Sequence, residues 1–143
     1  MKLSLGMSKA AWDHSKYQVD KNFMGHNGPK GKEGPGNRIN LYGKWGLTCG
    51  ENIGGSLNNN VAASAVHYII GLMIDDGVPS RGHRANLFSE DFKYMGVGLH
   101  KKSENERERC TITYAGGYSE DTGKIKDGDK KLIGWNEKCD KYV

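Results

Sequence analysis

Three polar segments of this chain place imidazole and carboxylate groups beside glycine, the side chains from which metal-binding or acid–base sites are built. They are Gly25-His26-Asn27, Cys49-Gly50-Glu51-Asn52-Ile53 and Arg81-Gly82-His83-Arg84-Ala85-Asn86-Leu87. Neutral imidazoles suit Zn²⁺, and a carboxylate beside a bound water can serve as a general base. If folding brings the three segments together, His26, His83 and Glu51 form such a site.

His83 has two interpretations. It follows a helix-stopping turn, so the first is a loop histidine whose ring nitrogens are satisfied by backbone groups. The second starts from Asp75 and Asp76, which lie at a predicted helix C-terminus where the macrodipole disfavours negative charge. Arg81 and Arg84 are near enough in sequence to be their ionic partners. Alternatively, one aspartate accepts the His83 N–H and fixes its tautomer, as at a ligand histidine.

Glu51 and its neighbours also have ordinary interpretations. Glu51 can accept hydrogen bonds from backbone N–H groups or form a salt bridge with Arg38, or it can be a carboxylate in a cavity. His14 lies on an apolar helical stripe and is predicted to be a satisfied core histidine, with a position bordering the cavity as the alternative. Cys49 is predicted to be a buried structural thiol rather than a nucleophile.

Composition excludes some classes of function. The 143 residues predict one domain, 1–143, and the net charge of +4 is scattered with no basic run longer than two. We therefore expect no nucleic-acid partner, although a diffuse basic surface favours anionic lipid headgroups or polysaccharides.

No stretch approaches the roughly 20 apolar residues of a membrane-spanning helix. Residues 1–5 begin like a signal peptide but run into polar sequence, so we expect no secretory signal in this chain.

The cysteines Cys49, Cys110 and Cys139 fit no zinc-ribbon or Cys-x-x-Cys pattern. A disulfide from Cys110 to Cys139, which would tie the tail to a sheet, is the preferred pairing. Three reduced, partly buried thiols are the alternative.

Apolar periodicity predicts the elements that must position these groups. A helix is expected over 3–22 and a loop over 25–38, followed by a short helical turn or strand over 39–45. A second helix over 61–74, capped by Asn58-Asn59-Asn60, is nearly encircled by apolar residues and is predicted to be buried. Strands are expected over 94–100 and 110–115, joined by a charged turn over 101–109, with a third over 131–135. This order indicates an α+β fold with helices packed on an antiparallel sheet.

The order of these motifs, His-loop, Gly-Glu-Asn-Ile, apolar helix, Gly-His-Arg-x-Asn-Leu and Gly-Val-Gly, resembles the CAP superfamily from about Lys9 to Tyr118. These are secreted proteins related to cysteine-rich secretory, antigen 5 and pathogenesis-related 1 proteins. The resemblance implies a three-layer α-β-α sandwich with a cleft on one face and an extracellular location. It also implies that His26 and His83 hold a divalent ion, commonly zinc, and that Glu51, Asn52 and Arg84 line the cavity.

The chain departs from the fuller family pattern at one point. Many members carry a second cavity glutamate on the helix after Gly-Glu-Asn, and residues 61–75 contain no glutamate. His67 could enter the cavity as a substitute, although a partly buried packing histidine is the preferred interpretation. The loss should weaken metal binding and puts hydrolytic activity in doubt.

Three functional hypotheses remain. The favoured one is a binding module for a lipid, a sterol, a glycan or a protein partner. It has a weak divalent-metal site, and no residue is assigned a catalytic role. The second is a zinc-assisted hydrolase in which His26 and His83 hold the ion and Glu51 accepts a proton from its water. The third is a stress or host-interaction protein that acts through its surface loops. A monomer or weak dimer is expected.

Overall fold

Four strands form one sheet in the computed structural model, which describes residues 1–56, 61–103 and 108–143 and gives the backbone alone for 56 and 61–64. The strands are β1 (Lys2–Leu3), β2 (Gly43–Ser56), β3 (Tyr94–His100) and β4 (Glu108–Glu120), and their order across the sheet is β1-β3-β4-β2. β4 pairs antiparallel with both β2 and β3, whereas the short β1 pairs parallel with β3. The predicted antiparallel pair over 94–100 and 110–115 is confirmed. Part of the predicted turn, residues 104–107, lies outside the described residues.

Helix α1 (Leu5–Asp20) covers one face of the sheet. The Ser4 hydroxyl caps its start by accepting a hydrogen bond from the Met7 N–H at 3.1 Å. The helix lies close to β3 because Gly96 and Gly98 present no side chains to it: a Cβ on Gly98 would be 2.0 Å from the Trp12 backbone nitrogen. The prediction of a helix over 3–22 is confirmed with shorter ends.

Helix α3 (Val61–Ile74) covers the opposite face, with the short helix α4 (Gly82–Phe88) beside it. The bounds of α3 agree with the prediction, whereas its predicted cap at 58–60 lies outside the described residues. Tyr68 and Leu72 enter the core between helix and sheet, and the Tyr68 ring packs where Gly54 of β2 leaves room. The α+β, three-layer α-β-α arrangement is therefore confirmed.

The prediction that the helix over 61–74 is buried is wrong. Val66, Ile69, Ile70, Met73 and Ile74 are between 39% and 57% exposed. Only the Tyr68 and Leu72 side of α3 meets the sheet, and among the described residues nothing covers the outer face. An apolar circumference does not by itself supply a second packing partner.

Two further elements differ from the prediction. The expected loop over 25–38 contains the start of α2 (Pro35–Ile39), which has proline at its first position where no intrahelical donor is needed. The expected strand over 131–135 is wrong, because α5 (Asp127–Leu132) occupies that region. The Asp129 carboxylate accepts a hydrogen bond from the Lys126 N–H at 2.8 Å, which caps α5 and favours helix over strand.

The preferred disulfide is also wrong, because Cys49, Cys110 and Cys139 are all free thiols. Cys110 is buried in the cluster that contains Tyr68, Ile112 and Tyr114, and burial raises the pKa of its thiol to about 12. Cys139 lies in a C-terminal 3-10 turn and contacts Asn136 instead.

The close approach of α1 to β3 predicts that Gly98→Ala lowers the free energy of unfolding by about 3 kcal/mol, because the methyl group has no space to occupy. Gly71→Ala is the matched control. A Cβ there meets nothing within 4 Å, so it should be neutral or stabilise α3 by up to about 1 kcal/mol. Urea unfolding of both variants checks the prediction, and equal stabilities would contradict it.

Candidate functional site

Glu51 is a buried carboxylate in the middle of β2, and its side chain is only 1% exposed. Its Oε1 accepts a hydrogen bond from His26 Nδ1 at 2.9 Å, and its Oε2 accepts one from Arg38 Nη2 at 2.5 Å. A carboxylate removed from water requires such charged or hydrogen-bonded partners. The salt bridge with Arg38 predicted from the sequence is therefore present, and Glu51 also contacts the first histidine, whereas its place in a cavity stays a prediction.

Arg38 fixes the loop that carries His26. Its Nη1 donates to the backbone carbonyls of His26, Lys32 and Glu33 at 3.0, 3.0 and 3.1 Å. The guanidinium is 3% exposed, so one buried cation holds both the loop backbone and the Glu51 carboxylate. The fork of donors on arginine permits this, whereas the single ammonium of lysine could not reach both groups.

His14 of α1 completes the surroundings of Glu51. Its Nε2 lies 2.9 Å from the Gly25 carbonyl and 3.9 Å from Glu51 Oε1. Desolvation lowers the pKa of His14, and the nearby Glu51 charge opposes that shift only in part. The imidazole is therefore neutral at pH 7 and donates through Nε2. His14 is thus a core residue, as predicted, but it is not fully satisfied, because its Nδ1 has no hydrogen-bond partner among the described residues. A position bordering the family's cavity stays a prediction.

Asp75 orients His83. The Asp75 side chain accepts a hydrogen bond from His83 Nδ1 at 2.8 Å and from the backbone N–H groups of His83 and Arg84 at 3.0 and 3.2 Å. Desolvation raises the pKa of Asp75, but the hydrogen bonds from His83 and Arg84 outweigh it and lower the pKa overall. His83 is thus held in the Nδ1–H tautomer by an ionised carboxylate. It lies in the first turn of α4, although the sequence pattern placed it in a loop.

The arginines beside His83 have a different role from the ionic pairing considered above. Arg81 Nη1 donates to the Ile74 carbonyl at 2.7 Å, and Arg84 Nη1 donates to the Met73 carbonyl at 2.5 Å. Both therefore satisfy carbonyl groups at the end of α3, where helices leave four without intrahelical partners. Arg84 is exposed and packs over the Phe88 ring at 5.3 Å.

Asn52 connects β2 to α4. Its Nδ2 donates to the His83 carbonyl at 3.0 Å and to the Tyr114 hydroxyl at 3.2 Å, while its Oδ1 accepts from Asn86 Nδ2 at 2.9 Å. The sequence analysis gave no role to Asn86 or Tyr114. Asn86 could have been found, because it is the polar residue left unexplained within the Gly-His-Arg-x-Asn-Leu motif.

Two neighbouring residues of one edge strand thus form hydrogen bonds with the two histidines. Glu51 holds the His26 ring, and Asn52 holds the His83 backbone. Successive side chains of a strand point to opposite faces of the sheet, and β2 is the last strand in the order. The two anchors therefore act from the α1 side and the α4 side of the same sheet edge. The convergence of the two rings on one hollow stays a prediction.

Two other predicted groups have clear surroundings. His67 is exposed on α3, so the preferred interpretation as a partly buried packing residue is wrong. Cys49 is half-buried on β2, and burial raises the pKa of its thiol. Cys49 is therefore less buried than predicted, and the raised pKa disfavours the reactive thiolate, while its structural role stays a prediction.

The hydrogen bonds of His26 and His83 give each ring the form that a metal ligand needs. Carboxylates hold His26 and His83 through Nδ1–H, which leaves the Nε2 lone pair of each ring available, the usual arrangement of ligand histidines. The His26 and His83 side chains are 53% and 29% exposed, so both are open to solvent. Within the described ranges, no three His, Cys, Asp or Glu side chains are grouped closely enough to hold an ion. The binding of one ion by His26 and His83 together therefore stays a prediction.

A family model described as the cysteine-rich secretory protein family, CAP, matches residues 1–115. The chain belongs to this family. The resemblance drawn from the His-loop, Gly-Glu-Asn-Ile and Gly-His-Arg-x-Asn-Leu motifs is therefore confirmed. The assignment of residues 1–143 to one CAP domain stays a prediction. Among curated protein sequences, none matches this chain significantly.

Two solved structures share the CAP fold with this chain. One is an extracellular protein containing a SCP domain from Bacillus anthracis str. Ames, with 24% identity, a TM-score of 0.61 and coverage of 80% of this chain and 33% of that one. The chain thus spans a third of that protein. The other is an outer surface protein from Borrelia burgdorferi, with 14% identity, a TM-score of 0.63 and coverage of 80% and 76%. In the part of the chain described, no helix has the length and apolar character to cross a bilayer.

The buried pair predicts a large effect of Arg38→Met. The variant leaves Glu51 charged and unpaired in the interior, so the free energy of unfolding should fall by about 3–5 kcal/mol. Adding Glu51→Gln to that variant should restore part of the loss, because the second substitution removes the stranded charge.

The control for this pair is Lys16→Met, which breaks the exposed Lys16–Asp20 ion pair and should leave stability unchanged within error. Urea unfolding of the native protein, the two single variants and the double variant measures the coupling between Arg38 and Glu51. If the two substitutions change the free energy of unfolding additively, the interaction between Arg38 and Glu51 does not contribute to stability.

Proposed function

We propose that this CAP protein is an extracellular binding module whose His26–His83 edge takes a divalent cation weakly and whose α3 face meets a lipid. The extracellular location is supported by membership of a secretory protein family and by the likeness to an extracellular protein of Bacillus anthracis. The observation that carries the metal part is the matched anchoring of the two imidazoles. Glu51 and Asp75 each accept an Nδ1–H and leave an Nε2 for a ligand.

Zinc is the cation that this donor set favours, because neutral imidazole nitrogens suit it. His26 and His83 would hold the ion across the edge of β2, with water in the remaining positions. Two protein ligands are fewer than the three of most catalytic zinc sites, which argues for weak, exchangeable binding.

The alternative, a zinc-assisted hydrolase, asks Glu51 to act as a general base. Both Glu51 carboxylate oxygens already accept hydrogen bonds, from His26 and Arg38, and the side chain is almost fully buried. A general base must reach the proton that it removes directly or through one water. The surroundings of Glu51 thus favour a structural and orienting role, and the binding module is the better-supported function.

Calorimetric titration with Zn²⁺ tests the metal site. The native protein should bind the ion, His83→Ala should abolish binding, and Asp75→Asn should weaken it about 10–100-fold by releasing the His83 ring. His67→Ala, which removes an exposed histidine of α3, should bind as the native protein does. A native protein that binds no zinc, or a His83→Ala variant that binds it equally, would count decisively against the site.

The lipid part is supported by the outer face of α3, where five apolar side chains are exposed. Monomeric proteins seldom leave contiguous apolar patches of several hundred Å² uncovered without a partner. Arg81 and Arg84 lie at the C-terminal end of α3, as their bonds to the Ile74 and Met73 carbonyls show. Exposed arginines beside an apolar face suit a bilayer surface with anionic headgroups.

Flotation with phosphatidylcholine–phosphatidylglycerol vesicles tests the lipid part. Ile70→Asp should reduce vesicle binding at least about tenfold, because it places a charge where an isoleucine side chain would enter the interface. Leu132→Asp, which changes an equally exposed apolar residue on α5, is the matched control and should bind normally. Absent binding by the native protein, or self-association through α3 seen by sedimentation, would refute a lipid partner.

A further inference from the structure

A cavity of about 90 Å³ lies between α1, the loop that follows His26, and the end of α2. Its lining includes Ala10, His14 and Tyr17 from α1 and Pro29 from the loop. Arg38 of α2 and Leu41 after that helix also line it. His26 and His83 are not among the lining residues, so the cavity is separate from the proposed metal site. Pro29 is exposed, which places one wall at the protein surface.

Two buried polar atoms belong to the lining residues of this cavity and lack partners. They are His14 Nδ1 and Arg38 Nε, and neither has a hydrogen-bond partner among the described residues. His14 is 1% exposed and Arg38 is 2% exposed. Buried polar atoms are almost always paired, and an unpaired one destabilises the fold. Because both atoms belong to residues that line one cavity, a molecule bound there is the candidate partner for them.

The two atoms require opposite partners. His14 donates through Nε2 to the Gly25 carbonyl, so its Nδ1 carries a lone pair and needs a donor. Arg38 Nε always carries a hydrogen and needs an acceptor. A suitable ligand must therefore offer both a hydrogen-bond donor and an acceptor.

Charged ligands meet only half of this requirement. A carboxylate would accept from Arg38 but offer no hydrogen to His14. An ammonium group would donate to His14 but offer no acceptor to Arg38, whose positive charge would repel it. A hydroxyl group is neutral and both donates and accepts.

The walls and the volume define the rest of the ligand. Most of the exposed lining is apolar, with Ala10, Pro29 and Leu41 beside the polar His14 and Arg38. A 150 Å³ apolar cavity holds benzene, so 90 Å³ has room for about four non-hydrogen atoms. We propose that this cavity binds a small neutral alcohol, or the hydroxyl-bearing end of a larger one.

The probe that matches these limits is 2-propanol, with acetone as the isosteric control. Acetone has the same size and an acceptor for Arg38, but it has no hydrogen for His14. In ¹H–¹⁵N spectra, 2-propanol should produce saturable shifts at the amides of 10–17 and 38–41. Acetone should bind at least about fivefold more weakly, because it leaves His14 Nδ1 unpaired. The absence of saturable shifts, which would mean that water alone fills the cavity, or equal binding of the two probes, would overturn the proposal.

Filling the cavity provides the second test. Ala10→Val adds two methyl groups to the lining and should reduce 2-propanol binding at least about fivefold, whereas Ala85→Val makes the same change at an exposed position of α4 and should leave it intact. If Ala10→Val does not fold, Leu41→Phe fills the cavity from the other wall and takes its place. Retained affinity in the folded cavity-filling variant would place the alcohol elsewhere. His83→Ala, which removes the proposed zinc ligand, should not change 2-propanol binding.

Discussion

The buried ion pair between Arg38 and Glu51 is the interaction on which the rest of the site depends. Glu51 lies inside the protein on β2, and its charge is tolerable there only because a guanidinium lies 2.5 Å away. The same guanidinium binds three backbone carbonyls of the loop, so it converts a glycine-rich segment into a defined support for His26. Without the pair, the loop would lose its anchor and the carboxylate its partner at the same moment.

The second half of the site uses the same chemistry on the other face of the sheet. The Asp75 carboxylate lies at the end of α3, where the helix dipole disfavours it, and Asp75 itself adopts a left-handed backbone with φ of 50°. Three N–H donors from the start of α4 offset this cost, and one of them is the His83 ring. The turn between α3 and α4 and the orientation of His83 are therefore one structure. Asn52 then ties that turn to the residue next to Glu51.

Local signals predicted much of this arrangement, and long-range contacts account for what they missed. The bounds of α3 follow from apolar periodicity over 61–74 and the Asp-Asp-Gly stop that follows. The strand over 94–100 follows from alternation, since Gly96 and Gly98 face α1 while Val97 and Leu99 pack against the opposite core. The exposed face of α3 could not be predicted, because the sequence of a helix does not state how many of its sides will find a partner. The strand expected over 131–135 failed because the cap supplied by Asp129 outweighed the β-propensity of Ile133 and Trp135.

Arg38 connects the surroundings of Glu51 to the cavity on α1, because it takes part in both. Its Nη2 satisfies Glu51, its Nη1 satisfies the loop, and its Nε is the donor that lacks a partner among the described residues. His14 is arranged in the same way. Its Nε2 lies within hydrogen-bond distance of the Gly25 carbonyl, close to the Glu51 carboxylate, and its Nδ1 has no partner among the described residues. Arg38 and His14 thus each use part of their side chain around Glu51 and each keep one unpaired polar atom. Both residues line the same cavity. Since neither side chain can turn toward a new partner without releasing its bonds around Glu51, a molecule in the cavity must match the positions that these bonds impose.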